Sequence, residues 1–322
     1  MNMLNNIIIN GMSFGLPLFI MAVGGIYSER SGVTNLALEG FQGFGAFVGA
    51  VGAYCLAIRI GPDSPFLVYF AMLLAMLGGM VFSLLHAVLC NYFKADMVVS
   101  GVVMNILAMA LTAFLTKTIN KNVFGVASDK FVLGIMDRYT VPGISRIPIL
   151  GAFFTNIYMY EVIIALLSFV VWYLLYKTRF GLHLRAAGDN PAAVDAAGIN
   201  VIRIRYLAVL MSGALSGLAG ICFAYSISAK FSNDIYMGYG YLSIAALIFG
   251  GWRIMPTLGS CLIFGFARSA GYQIVQKLGL PSAYSDLVMI LPYVLTLALL
   301  IFLAGNSNAP KALGEAYDKS RR

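Results

Sequence analysis

Apolar windows almost free of charge recur along this sequence, at about Leu4 to Tyr27, Leu36 to Ile58, Phe66 to Tyr92, Met97 to Thr116, Asn156 to Tyr176, Tyr206 to Ser228, Tyr239 to Trp252, Thr257 to Val275 and Leu287 to Ala304. Most hold the roughly 20 apolar residues with which a helix crosses a hydrocarbon core about 30 Å thick. Lipid offers no water to an open backbone, and a helix closes its hydrogen bonds within one segment. The pattern predicts an all-α chain, a polytopic transmembrane bundle of about nine spans. Composition agrees: 60% of the 322 residues are hydrophobic and 11% are charged, against about 25% charged in soluble domains. That is more apolar surface than one core of this size can hide, so an ordinary water-soluble protein is excluded.

The run from Tyr239 to Trp252 is short, and Gly250, Gly251 and Pro256 close it. It predicts half of a broken or re-entrant helix, tolerated in a membrane only where protein or a cavity covers the open backbone. The segment Gly32 to Gly45, after the first window, is echoed weakly by Gly238 to Gly251, after the sixth. With crossings that alternate in direction, the two units would form an inverted internal repeat, as many transporters do. Small residues at helical spacing, Gly11 and Gly15, Gly45 and Gly49, Ser212 and Ser216, Gly213 and Gly217, predict close approach of helix backbones.

An odd number of crossings puts the termini on opposite sides. About twelve basic residues share a side with the C-terminal tail, among them Arg30, Lys94, Lys177, Arg185, Arg205, Arg253 and Lys311, against about eight on the other side, such as Lys117, Lys130 and Lys230. The tail is therefore expected in the cytoplasm and the N-terminus outside. The expected organisation is a transmembrane domain over 1–305, containing a cytoplasmic loop at 177–205, followed by a basic cytoplasmic tail over 306–322. No basic residue precedes the run from Ile7 to Ile26, which is long enough to span, so it is read as the first crossing and not as a cleaved leader. The net charge of +8 is scattered between apolar runs. That placement fits anionic lipid headgroups and not nucleic acid.

Enzyme chemistry has little to stand on. Cys55, Cys90, Cys222 and Cys261 lie inside apolar runs without C-x-x-C spacing and read as small core residues, not as a disulfide framework or a metal site. Gly11-Met-Ser-Phe-Gly15 matches the G-x-S-x-G pattern but sits in an apolar helix instead of a strand-to-helix turn. There is no H-E-x-x-H and no G-x-x-x-x-G-K-[ST], so neither a metalloprotease site nor a P-loop for ATP is present. Glu39, His86, Glu161 and Arg268 are the ionisable groups inside windows. Glu39 and Glu161 lie near window ends, where a carboxylate suits a helix N-terminus, which weakens an ion-coupled carrier without removing it.

The most informative segment is the loop from Lys177 to Arg205. Asp189 or Asn190 caps a short helix that starts at Pro191, Ala192 to Ala197 favour it, and Gly198 ends it. Two turns of helix are marginal unless packed on something. It is either an amphipathic linker or a rigid plug for a partner. This loop, followed by Arg205-Tyr-Leu-Ala-Val-Leu-Met-Ser-Gly-Ala-Leu-Ser-Gly-Leu-Ala-Gly220, resembles the coupling loop and following helix of ABC importer permeases of the branched-chain amino acid and simple sugar class. Gly24-Gly-Ile-Tyr-Ser-Glu-Arg-Ser-Gly-Val-Thr-Asn-Leu-Ala-Leu-Glu-Gly40 is similar to the smaller permease of bacterial nucleoside importers that work with basic-membrane-protein-type binding lipoproteins.

The resemblance covers nearly the whole chain. It implies a permease subunit of the bacterial cytoplasmic membrane that imports nucleosides by alternating access, or a simple sugar or branched-chain amino acid by the same machinery. It implies a second, often different, permease as partner, an extracytoplasmic substrate-binding lipoprotein, and two ABC ATPase subunits that hold ATP and Mg; this chain itself would bind no cofactor. Longer relatives begin with an extra helix and a cytoplasmic N-terminus, which agrees with nine crossings here. Gly188, Asp189, Asn190, Pro191, Ala193, Asp195 and Gly198 would form the ATPase coupling element. Asn35, Gln42, Ser100, Asn105, Tyr239 and Ser243, polar groups in apolar or broken segments, are the candidate substrate path. Amide and aromatic groups suit a neutral nucleoside, and each is otherwise an interhelical hydrogen bond.

Overall fold

The computed structural model describes residues 3–62, 64–134, 136–147, 150–279, 281, 284, 290, 293, 294 and 308–318. Its helices are α1 (Met3–Arg30), α2 (Leu38–Ile60), α3 (Phe66–Asn91), α4 (Met97–Asn122), α5 (Met159–Lys177), α6 (Arg179–Asp189), α7 (Pro191–Ala196), α8 (Val201–Phe223), α9 (Tyr239–Phe249) and α10 (Ile254–Lys277). Among the described residues, 6 helices are long and apolar enough to cross a membrane: α1 to α5, and α8 with its continuation to Ser228. The chain is an all-helical polytopic bundle whose described residues hold six of the nine expected crossings as membrane-length apolar helices. The expected seventh crossing is the 11-residue α9, and the eighth is the 24-residue α10, whose second half carries Arg268, Ser269 and Gln273. The ninth window, Leu287 to Ala304, lies outside the described residues apart from 290, 293 and 294.

Helix ends follow caps, not only the edges of the apolar windows. Asp96 starts α4 by accepting from the Val99 N–H at 2.9 Å, and α4 runs on through Lys117 and Lys121. Cations suit the carbonyl end of a helix, so its last turn survives beyond the apolar window. Asn200 accepts from the Arg203 N–H at 2.9 Å and starts α8 ahead of Arg203 and Arg205. After α8 the chain makes a π turn over Ala224–Ser228, and Ala229 takes a left-handed φ of 50°. Four two-residue strands, β1 (Phe131–Val132), β2 (Arg138–Tyr139), β3 (Ile157–Tyr158) and β4 (Lys230–Phe231), form two antiparallel pairs, β1 with β4 and β2 with β3. They gather the long α4–α5 connection over one end of the bundle.

The core runs along α1 and α8. Each buries 83% of its apolar window, whereas α2 to α5 bury 28% to 44% and leave broad apolar faces outward. The expected small-residue stripes make the contacts. A Cβ at Gly45 would lie 2.4 Å from the Gly217 Cα, and one at Gly217 would lie 2.1 Å from the Ala75 carbonyl oxygen, so α2, α3 and α8 touch through backbone. Gly11 and Gly15 meet α10, where a Cβ at Gly265 would lie 2.4 Å from the Gly11 carbonyl oxygen. Cys90, Cys222 and Cys261 are buried as expected, but Cys55 is exposed on the outward face of α2. A weakly polar thiol tolerates such a face, so apolar surroundings in sequence do not place it inside.

Candidate functional site

Two constellations stand out, the 177–205 loop at one end of the bundle and a polar seam between α2, α4 and α9. In the loop, Thr178 caps α6 by accepting from the Gly181 N–H at 3.3 Å. Asn190 then caps α7, accepting from the Ala193 N–H at 3.0 Å, with Pro191 opening the helix. Of the two cap candidates Asn190 is the cap, and Asp189 is the last residue of α6. Gly198, at φ +80°, ends the helix, and its N–H donates to the Asp195 carbonyl at 2.9 Å. Val194 is buried and anchors α7, while Asp189, Asn190, Ala192, Ala193, Ala196, Ala197 and Gly198 are exposed. The product is a short, capped knob of small side chains, seated through the buried Val194. Gly188 is buried, and a Cβ there would lie 2.2 Å from the Arg30 carbonyl oxygen. The end of α6 therefore bears directly on the end of α1.

The seam is held by Glu39. One carboxylate oxygen accepts from the Gly238 N–H at 2.8 Å and the other from the Gly240 N–H. A carboxylate in the first turn of α2 thus satisfies open donors at the N-terminus of α9, where helix ends expose N–H groups and favour negative charge. Asn105 on α4 accepts from the Gly40 N–H at 2.7 Å and donates to the Leu36 carbonyl at 2.8 Å and the Tyr241 hydroxyl at 3.0 Å. Gln42 donates to the Ile235 carbonyl at 3.3 Å, and its own carbonyl oxygen is buried without a partner. Ser243 donates to the Gly240 carbonyl at 2.6 Å, and the Tyr239 hydroxyl donates to the Met237 sulfur at 3.2 Å.

The structure thus brings Gln42, Asn105 and Ser243 to the seam, while the Tyr239 ring turns to Phe14 on α1, Phe223 on α8 and Arg268 on α10, and the other two path candidates also lie apart. Asn35 donates to Ser212 on α8 at 2.9 Å, and Ser100 bonds His86 on α3 at 2.8 Å. All six are buried, and each has a hydrogen-bond partner within the chain. Sequence reading missed the role of Glu39 toward α9, and it missed Tyr236 and Tyr241, which reach α4 through Thr112 at 3.0 Å and through Asn105. It also missed the surroundings of Arg268, whose guanidinium lies 4.4 Å from the Phe14 ring centroid and 5.1 Å from that of Tyr272. The signal for Glu39 was its echo: Gly32 to Gly45 and Gly238 to Gly251, alike in sequence, are in contact through this carboxylate.

Residues 7–300 match the family described as branched-chain amino acid transport system, permease component. A guanosine ABC transporter permease protein of Bacillus subtilis is 37% identical, covering 96% of this chain and 95% of that protein. A nucleoside ABC transporter permease protein of Lactococcus lactis is also 37% identical, over 99% of each. The ribose import permease protein of Escherichia coli is 33% identical over 43% of each chain. A solved inward-facing ABC transporter of the metal-chelate type gives a TM-score of 0.48 at 14% identity, covering 94% of this chain and 85% of that one.

Proposed function

The chain belongs to the branched-chain amino acid transport system permease family, and from that premise we propose that it is the membrane subunit of a bacterial ATP-driven importer of nucleosides. The observation that carries the substrate class is the match at 37% identity along nearly the full length of two permeases named for guanosine and nucleosides. The chain works with two ABC ATPase subunits that hold ATP and Mg, a second permease, and an extracytoplasmic binding lipoprotein. The second permease, or lipid, covers the exposed apolar face of α4 that carries Val99, Val103 and Ile106. The loop 177–205 and the tail are cytoplasmic, and the N-terminus lies outside.

In this reading α7 is the coupling helix, with Gly188, Asp189, Asn190, Pro191, Ala193, Asp195 and Gly198 shaping it. Small exposed side chains let a groove close tightly on a capped helix, and the contact of Gly188 with Arg30 passes its displacement to α1. The short α9 is the broken half-helix, clamped by Glu39, and the two echoed segments are the cores of inverted repeats. Gln42, Asn105 and Ser243 at the seam, and Tyr239 on the α1, α8 and α10 side of α9, border the path. Substrate passes when closure of the ATPases repacks the permease pair, since a ligand-driven transition needs differential binding to two states. The ribose permease likeness favours a second reading, in which a simple sugar is carried by the same machinery.

The test is the complex reconstituted in liposomes with its ATPases and binding protein. A nucleoside should stimulate ATP hydrolysis and accumulate, whereas stimulation by ribose and not by nucleosides replaces the first reading with the second. Replacing Asp189, Pro191 and Gly198 together should leave the permease inserted and uncouple hydrolysis from uptake; unimpaired transport by that variant removes α7 from the coupling role.

A further inference from the structure

The C-terminal segment 308–318 does not leave the bundle. It crosses the end that carries the 177–205 loop and is held there at points far apart in sequence. The Ala312 N–H donates to the Gly188 carbonyl at 2.8 Å, and the Gly314 N–H donates to the Gly32 carbonyl at 3.0 Å. Arg205, at the start of α8 and only 1% exposed, donates through Nε to the Ser31 carbonyl at 3.1 Å and through Nη1 to the Glu315 carbonyl at 2.8 Å. Asp318 pairs with Lys94, in the α3–α4 connection, at 2.8 Å. Ala312 is 4% exposed, and Ala309, Leu313 and Tyr317 pack on the main apolar core.

These contacts have a shared geometry. Gly188 is the point at which α6 bears on α1, and Gly32 closes the turn that follows α1. Gly32 sits at φ +95°, and a Cβ there would lie 2.6 Å from Arg205 Nη2 and 3.2 Å from the Ala312 carbonyl oxygen, so only glycine admits both the turn and the covering segment. A buried cation needs partners, and the carbonyls of Ser31 and Glu315 supply two of them, one from the α1–α2 connection and one from the tail. Arg205 is the rivet, and the tail is the strip that it fastens across α1, α6 and α8.

We propose that residues 308–318 form a clasp that fixes the end of α6 to the ends of α1 and α8, so that motion imposed on α7 moves those two central helices instead of swinging the loop. Arg205, Ala312 and Gly314 are positioning residues for coupling, acting through Gly188 and Gly32 and touching no substrate. The inference rests on the coupling role proposed for α7, but it assigns work to a segment outside that loop. Without the clasp, α6 and α7 keep their caps and their surface toward an ATPase and lose the backbone link at Gly188.

The test uses the full complex in liposomes with two variants, deletion of 308–322 and the full-length Ala312→Pro, which removes the N–H donated to Gly188. Both are expected to retain the ATPase subunits on copurification and to hydrolyse ATP, while substrate moved per ATP falls about fivefold or more, the lower end of inter-site couplings. Hydrogen exchange on the wild-type complex should find the amides of Ala312 and Gly314 protected, and in Ala312→Pro the protection at Gly314 should be lost. Wild-type stoichiometry in Ala312→Pro with that protection lost overturns the clasp. Loss of ATPase subunits from Ala312→Pro also overturns it, because the segment is then needed for assembly and not for transmission. A complex that still couples hydrolysis to uptake after the triple replacement in α7 sinks the earlier reading instead, which keeps the two failures distinct.

Discussion

Glu39 shows how a single side chain can be placed correctly in sequence and still have its partner misjudged. Its position one turn into an apolar window marks it as a helix-terminal carboxylate, and that is its chemistry, but the terminus it serves belongs to α9 and lies about two hundred residues away. Periodicity reports only the helix a residue sits on, so a cap supplied to another helix is invisible without the fold. The loop cap is the opposite case: Asn190, Pro191 and Gly198 act within ten residues of one another, and the helix they bound was legible from residue type alone. The Glu39 arrangement yields a test. In Glu39→Ala the two N–H groups at Gly238 and Gly240 lose their acceptors, and a buried donor left unmet costs about 1–3 kcal/mol. Glu39→Gln keeps one acceptor oxygen and should lose less. Thermal unfolding of the detergent-solubilised protein should therefore rank wild type above Glu39→Gln above Glu39→Ala; equal midpoints for all three show that the carboxylate does not hold α9.

Among elements, the long helices were legible because lipid leaves a spanning segment few alternatives. What could not be read was which face each helix turns inward. Mean apolarity is nearly uniform around a membrane helix, so the usual amphipathic stripe is absent, and the small residues carry the information instead. Gly45, Gly213 and Gly217 were marked by spacing, and they lie where α2, α3 and α8 touch through backbone. Ser100 and Asn35 were marked as polar residues in apolar or broken segments, and the structure gives them partners on α3 and α8, which spacing along one helix does not encode. Gly217→Val should force the crossing of α3 and α8 apart, since its Cβ alone would lie 2.1 Å from the Ala75 carbonyl oxygen. Overpacking of this kind costs about 1–3 kcal/mol or more. The variant should show a lowered thermal midpoint and reduced membrane abundance, whereas Gly259→Val, at a position with open space around it, should not. Similar midpoints for the two would mean that the glycine crossing does not determine the packing.

At the scale of the molecule, the least legible feature is the one that joins the ends. The boundary expected at 305 follows from charge alone, because a basic segment after the last window has no apolar periodicity of its own. Its described part is nonetheless fastened by backbone hydrogen bonds, which carry no side-chain signature. Those bonds make the orientation testable as a set. Ala193 and Glu315 are both exposed and sit at one end, tied through Gly188 and Ala312 and through Arg205, while Asp129 is exposed in the connection gathered by the strand pairs at the opposite end. With Cys55 replaced by Ser, single cysteines at Ala193 and Glu315 should react with a membrane-impermeant maleimide only in inside-out vesicles, and one at Asp129 only in intact cells. The two members of the first pair must change sides together, because one clasp holds both. Labelling of both from outside would reverse the orientation and leave the clasp intact. Labelling of Ala193 and Glu315 from different sides would break the clasp, since no backbone bond from Ala312 could then reach Gly188.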